Sequence, residues 1–168
     1  QLWIVIAVYT GGRDSEIDRL RWEDIGENTI EIRGTKTEGS ARTIPLHPTL
    51  AAVLERSRAA SGYIVGEWLN IRRDLASACA RAVCPRCEGE APAMATCTAC
   101  RGRGKGIARV SPNDLRRTLA SWLKQLGADS LAVGKILGHR DSRMVDRFYG
   151  RIEERTKQGT MALLGGCA

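Results

Sequence analysis

Apolar residues crowd the start of the chain from Leu2 to Tyr9, and a buried helix is predicted there. The run is about half the roughly 20 residues that span a bilayer, and no basic stretch precedes it, which excludes a membrane helix and a signal peptide. An opening straight into a core element also predicts that sequence has been lost upstream. A second helix is expected over residues 14–22, capped by Asp14 or Ser15, with Ile17, Leu20 and Trp22 turned inward. Between the two stand Thr10, Gly11, Gly12 and Arg13.

The period then shortens to two. Thr29 to Arg33 and Ala41 to Leu46 alternate as strands, and residues 34–40 form the turn of a hairpin. Helical spacing returns after Pro48 with Leu50, Val53 and Leu54, and again through Trp68, Ile71, Leu75, Ala78, Cys79 and Ala82. From Cys84 to Gly106 no apolar period survives, while Gly, Pro and Cys are dense. Residues 84–106 therefore read as an insertion in a domain running over 1–168.

Ser111 and Pro112 mark a new helix start. Its apolar stripe passes through Leu115, Leu119, Trp122, Leu123 and Leu126, and Gly127 stops it. Arg116 then falls at the edge of the core. Ser130 to Leu137 makes a short helix ended by Gly138, and Asp141 or Ser142 begins another that carries Met144, Val145, Phe148 and Tyr149. The tail from Arg151 is polar except for Met161 to Leu164, a stretch suited either to a neighbouring protomer or to a helix folded back on its own chain. Together these elements predict a mainly α fold with a small antiparallel β-sheet (α+β).

Composition adds a direction. The formal net charge is +7, which suits solubility or attraction to phosphate. Aromatics make up 5% of the chain, too few to favour a single-strand stacking platform. Four of the six cysteines lie in the pattern Cys84-x2-Cys87-x9-Cys97-x2-Cys100. Two such knuckles can wrap one tetrahedral Zn²⁺, and without a secretory signal metal is favoured over disulfides. The second pair is similar to the cysteine-rich segment of DnaJ-type chaperones. Arg86, Arg101, Arg103, Lys105 and Arg109 surround the pairs against Glu88 and Glu90, so the block serves either phosphate contact or purely as a staple.

Taken singly, the polar candidates have ordinary explanations. Arg13 could cap a loop, Lys36 could be a solvated turn lysine, and Arg116 could form a structural ion pair. His139 could close a helix and Tyr149 could belong to the core. Their order changes the reading. TGGRDSEIDRLRWEDI at 10–25, GTKTEGSARTIPL at 34–46, SPNDLRRTLASWL at 111–123, LGHRDS at 137–142 and FYGR at 148–151 follow one another along the chain. In order and spacing they resemble the signature boxes of the tyrosine recombinases, the family of phage integrases and chromosome-dimer resolvases.

The resemblance implies a catalytic domain in which Arg13 and Arg116 clamp a scissile phosphate and His139 hydrogen-bonds a non-bridging oxygen. Lys36 would protonate the leaving 5′ oxygen, and Tyr149 would form a 3′-phosphotyrosyl link. Glu16 matches the acidic support after the first arginine. Double-stranded DNA, a homo-tetramer on paired sites, an upstream DNA-clamping domain and a bacterial or phage-encoded cytoplasmic setting are implied with it. The strand transfer needs no catalytic metal or nucleotide.

Two features depart from the pattern. Asn113 stands where the second box usually has histidine, and an amide cannot shuttle a proton at neutral pH. Tyr149 stands ten residues after His139, one more than the resemblance implies, and Phe148 occupies the expected place. One extra residue turns a helix by about 100°. A catalytically impaired DNA-binding remnant and a zinc-dependent protein-interaction module are the alternative readings.

Overall fold

The structure is a computed structural model that describes residues 1–34, 41–139 and 143. Lys36, Tyr149, the helix expected from Asp141 or Ser142 and the Met161–Leu164 stretch lie outside the described residues. The fold is mainly helical with one two-stranded antiparallel sheet. Among the described residues no helix is long and apolar enough to cross a membrane. The chain divides into two compact units, one of residues 1–67 with 115–168 and one of residues 68–114.

In the first unit, α1 (Leu2–Thr10) buries Trp3, Ile6, Ala7 and Thr10 and packs on α2 (Asp14–Asp18) and α3 (Pro48–Glu55). Full burial of a side chain such as Ile6 contributes about 1.5–3 kcal/mol. Gly11 ends α1 in the left-handed region at φ 60°. A Cβ there would sit 2.6 Å from Leu137 Cδ2 and 3.1 Å from Leu119 Cδ2, so the position has both a conformational and a steric need for glycine.

The second helix is shorter than its apolar pattern suggests. It stops at Asp18, and Trp22–Asp24 forms a separate 3₁₀ turn. The backbone between them is drawn out to pair with a distant segment: Trp22 N–H donates to Gly62 O at 3.0 Å, and Ile64 N–H donates to Leu20 O at 2.9 Å. The Arg21 guanidinium also lies 4.6 Å from the Tyr63 ring centre. Non-local pairing overrides local helical preference here.

β1 (Thr29–Ile32) pairs with β2 (Arg42–Pro45) in the register Ile30 to Ile44 and Ile32 to Arg42. Alternation buries Ile30, Ile32 and Ile44 on one face and brings Arg42 onto that same face. In α5 (Pro112–Gln125) the buried positions are Pro112, Arg116, Leu119 and Ala120, with Leu123 packed alongside. Trp122 and Leu126, placed on the apolar stripe by the sequence, are 49% and 84% exposed. The core stripe therefore runs one notch round the helix and takes Arg116 inside, where sequence put it at the edge. Val133 and Leu137 of α6 (Ser130–Leu137) complete this cluster.

In the second unit, α4 (Ile71–Arg81) buries Ile71, Leu75 and Cys79. Trp68, expected within the helix, precedes it and donates from Nε1 to Asp74 Oδ2 at 2.9 Å. Beyond α4, buried Cys84, Cys87, Cys97 and Cys100 form a cluster with Met94 packed against it.

Candidate active site

The site is assembled at the end of α6. Gly138 adopts φ 67°, and the His139 N–H returns to Gly134 O at 2.9 Å, which closes the helix and fixes the backbone that carries the imidazole. The last carbonyls of a helix have no partner within it and carry its negative pole. Two arginines take them. Arg42 Nε donates to Ile136 O at 2.6 Å, and Arg116 Nη2 donates to Leu137 O. Arg116 Nη1 donates to Gly11 O, tying α5 to the end of α1. The same guanidinium donates from Nη2 to His139 Nε2 at 3.3 Å. A guanidinium can only donate, so Nε2 is the acceptor and the ring proton resides on Nδ1.

Arg13 is held from α2. Its N–H donates to Glu16 Oε2 at 2.9 Å and its Nη1 to Glu16 Oε1 at 2.6 Å, so one carboxylate caps the helix and aims the guanidinium. Arg42 Nη2 reaches the same carboxylate at 3.1 Å. Burial alone would raise the Glu16 carboxyl. The hydrogen bond from Arg13 N–H and the charge of Arg42 outweigh it and hold the group below its ordinary value. For His139, burial and then the charges of Arg116, Arg13 and Arg42 all push the imidazole below its ordinary value. It is therefore neutral at neutral pH.

Arg13, Arg116 and His139 are thus brought together, with Glu16 supporting Arg13. Asn113 is exposed in the first turn of α5 and belongs to the second unit, while Lys36 and Tyr149 lie outside the described residues. Arg42 was missed by sequence reasoning. Its side chain is 6% exposed and joins β2, α2 and α6. The signal was there: two residues before Ile44 in an alternating strand, Arg42 had to face the core and so needed charged or carbonyl partners. Arg13 and Arg42 share the Glu16 carboxylate, Arg116 donates to His139, and all three guanidinium charges act on that imidazole, a set of donors suited to a tetrahedral oxyanion.

The second unit holds a candidate metal centre. The four cysteine Sγ atoms lie within 4.8 Å of one another. Cys84 and Cys97 are 3.8 Å apart and Cys87 and Cys100 3.7 Å. Four thiolates at about 2.3 Å from one ion would be separated by about 3.8 Å, so the set fits a tetrahedral metal. These separations also exclude disulfides between those pairs. Gly104 N–H donates to Cys100 Sγ at 3.3 Å, an outer contact of the kind that steadies a thiolate ligand. The backbone N–H of Cys100 draws the Cys97 thiol down to about 7. At Cys87 a hydrogen bond from Gly89 is outweighed by burial and the neighbouring thiols, which push it up to about 12.

The chain is thus a mainly helical domain with a two-stranded antiparallel sheet and an arginine–histidine cluster at the end of α6. More particularly, the chain belongs to the phage integrase family, whose family model matches residues 1–155. It is 27% identical over 173 residues to the prophage integrase IntR of Escherichia coli K12, covering 89% of this chain and 42% of that protein. The chain thus spans less than half the length of that curated relative. Among solved structures it is similar in fold to XerA recombinase, with a TM-score of 0.63 at 18% identity over 94% of this chain and 55% of the other. The catalytic domain of bacteriophage HP1 integrase matches with a TM-score of 0.59 at 21% identity, covering 95% and 79% of the two chains. The Tn1549 transposon integrase, solved in complex with circular intermediate DNA, matches at 0.55 and 21% identity over 96% and 58%.

Proposed function

We propose that this chain cuts and rejoins double-stranded DNA through a covalent 3′-phosphotyrosyl intermediate, as the catalytic part of a site-specific recombinase or integrase. The observation that carries this reading is the meeting of Arg13, Arg116 and His139 at the end of α6. Negative charge grows on the non-bridging oxygens as phosphorus is attacked, and two guanidiniums with an imidazole complement it. Tyr149 is the nucleophile. Its oxygen bonds to phosphorus, its proton leaves to water, and the bond from phosphorus to the 5′ oxygen breaks. Lys36 gives that oxygen a proton. Rejoining is the reverse, so the phosphodiester bond energy is conserved without nucleotide or catalytic metal.

Glu16 and Arg42 are positioning residues, which act by holding Arg13 and the α6 end. Cys84, Cys87, Cys97 and Cys100 hold a structural Zn²⁺ that orders the surrounding segment. The working assembly is a homo-tetramer on paired DNA sites in the cytoplasm, with a DNA-clamping domain upstream of this chain. A protein-interaction module built on the cysteines alone would leave the arginine site without a role.

A duplex nicked near the cut point, so that the released strand diffuses away, tests the chemistry. The intact chain is expected to form a denaturation-resistant adduct with the DNA, and Tyr149→Phe to abolish it. An adduct that survives this replacement, or none from the parent chain, overturns the mechanism.

A further inference from the structure

The two cysteine knuckles are near copies in backbone but opposites in charge. After the second cysteine of each pair, a non-glycine residue takes the left-handed region, Glu88 at φ 51° and Arg101 at φ 54°, and a glycine follows, Gly89 at 77° and Gly102 at 75°. Two residues further round, Glu90 N–H donates to Cys87 O at 2.8 Å and Arg103 N–H donates to Cys100 O at 3.2 Å. Glu88 thus holds the place of Arg101, and Glu90 that of Arg103.

Wrapping four thiolates dictates this backbone, but it does not dictate the sign of these side chains, since the same conformation accepts either. Residues 84–90 carry one arginine and two glutamates, whereas residues 97–105 carry Arg101, Arg103 and Lys105 and no acid. All three of those cations are exposed, as is Arg109 beyond them. Arg103 is steadied by donating from Nε to Cys100 O at 3.0 Å, so its base is anchored at the metal loop.

We infer that the second knuckle, through Arg101, Arg103 and Lys105, is a sequence-independent contact for the phosphate backbone of duplex DNA, and that the first knuckle is not. This rests on the reading that the chain works on DNA. Three exposed cations on one ordered loop, with no acid among them, offer donors to phosphate oxygens and lose less freedom on binding than they would on an unordered segment. The block would then be a second electrostatic hold on DNA, separate from the chemistry at Arg13 and Arg116.

The test is the salt dependence of binding by the whole chain to a fluorescent 30-base-pair duplex of random sequence. Each phosphate contact contributes about 0.9 to the slope of log K against log salt. The triple replacement Arg101→Gln, Arg103→Gln, Lys105→Gln is expected to reduce that slope by about 2–3 and to weaken binding about tenfold or more at low salt. The pair Glu88→Gln, Glu90→Gln is expected to leave the slope unchanged. Metal content measured on every variant confirms that the knuckles stand. Should the triple variant lose metal, Arg101→Gln and Lys105→Gln singly are expected to remove about 0.9 each. An unchanged slope in metal-replete variants overturns the inference. The Tyr149-dependent adduct separates the two claims: an adduct with an unresponsive slope sinks only this contact, and a responsive slope without an adduct sinks only the strand-exchange reading.

Discussion

The two units order themselves by different means. The first is built on apolar side chains taken from every element, among them Ile6, Ile17, Leu20, Ile30, Ile32, Leu50 and Leu137, each essentially fully buried. That core is rigid enough to hold charge, and Glu16, Arg42 and Arg116 are carried inside it on carbonyl and carboxylate partners. In the second unit α4 contributes Ile71, Leu75 and Cys79, but from residue 84 to 106 the packed interior is four thiols and Met94. Sulfur takes the place of hydrocarbon. A buried ion network thus depends on a hydrophobic frame, whereas the loop-rich segment packs around four sulfur atoms, where the proposed ion would supply the ordering energy.

The sharpest way to break this contrast is to strip the metal. Chelation, or Cys97→Ser, is expected to remove one bound ion per chain and to speed protease cleavage within residues 84–106 about tenfold or more, since binding energy of the ion is ordering energy of the segment. The thermal transition of the first unit should move little. A segment that stays resistant after metal loss would show that it has a core of its own.

Within the first unit, Gly11→Ala is expected to cost about 3 kcal/mol, from a left-handed backbone and a methyl driven against Leu137. Urea unfolding at neutral pH measures it, and a loss below about 1 kcal/mol would mean that the α1–α5–α6 junction yields. Glu16→Gln should cost about 2 kcal/mol at pH 7, by weakening its bonds to Arg13 and Arg42. The pH dependence gives the sign. With the folded carboxyl held below its ordinary value, its stabilisation is present above pH 4.5 and lost as pH falls through the lowered value. The Gln variant should lack that portion of the acid slope.

The smallest effect is at His139. Its imidazole is expected to titrate below 6.5 by NMR, and Arg42→Met should move the midpoint upward by removing one of three cations acting on it. Stability linked to this ring is full above pH 6.5 and declines as pH falls through the depressed folded value. A midpoint that ignores Arg42 would remove it from the field of the site.

Much of this architecture was legible in the order of residues. Period and punctuation located α1, α3, α5, α6 and the two paired strands, and the paired cysteines announced a four-sulfur cluster because ligand spacing is local. The boxes around Arg13, Arg116 and His139 singled out three residues that the fold gathers. What could not be read was where local preference loses. The helix expected over 14–22 breaks after Asp18 because Leu20 and Trp22 bond to a segment 40 residues away, and no window of sequence contains both partners.

Arg116 shows the division most clearly. Its type and motif were written in the chain, but its burial was not, since a stripe through Trp122 and a stripe through Ala120 differ only by a small rotation of α5. Packing against Val133 and Leu137 settled that rotation. Arg42 is the other half of the lesson: alternation assigned its face, and only the end of α6 supplied the carbonyl that made a buried cation affordable. Residue types and local periods set what the elements are and which atoms they can offer. Side-chain desolvation and the partners that offset it are properties of the assembled fold, and they decided which of those atoms form the site.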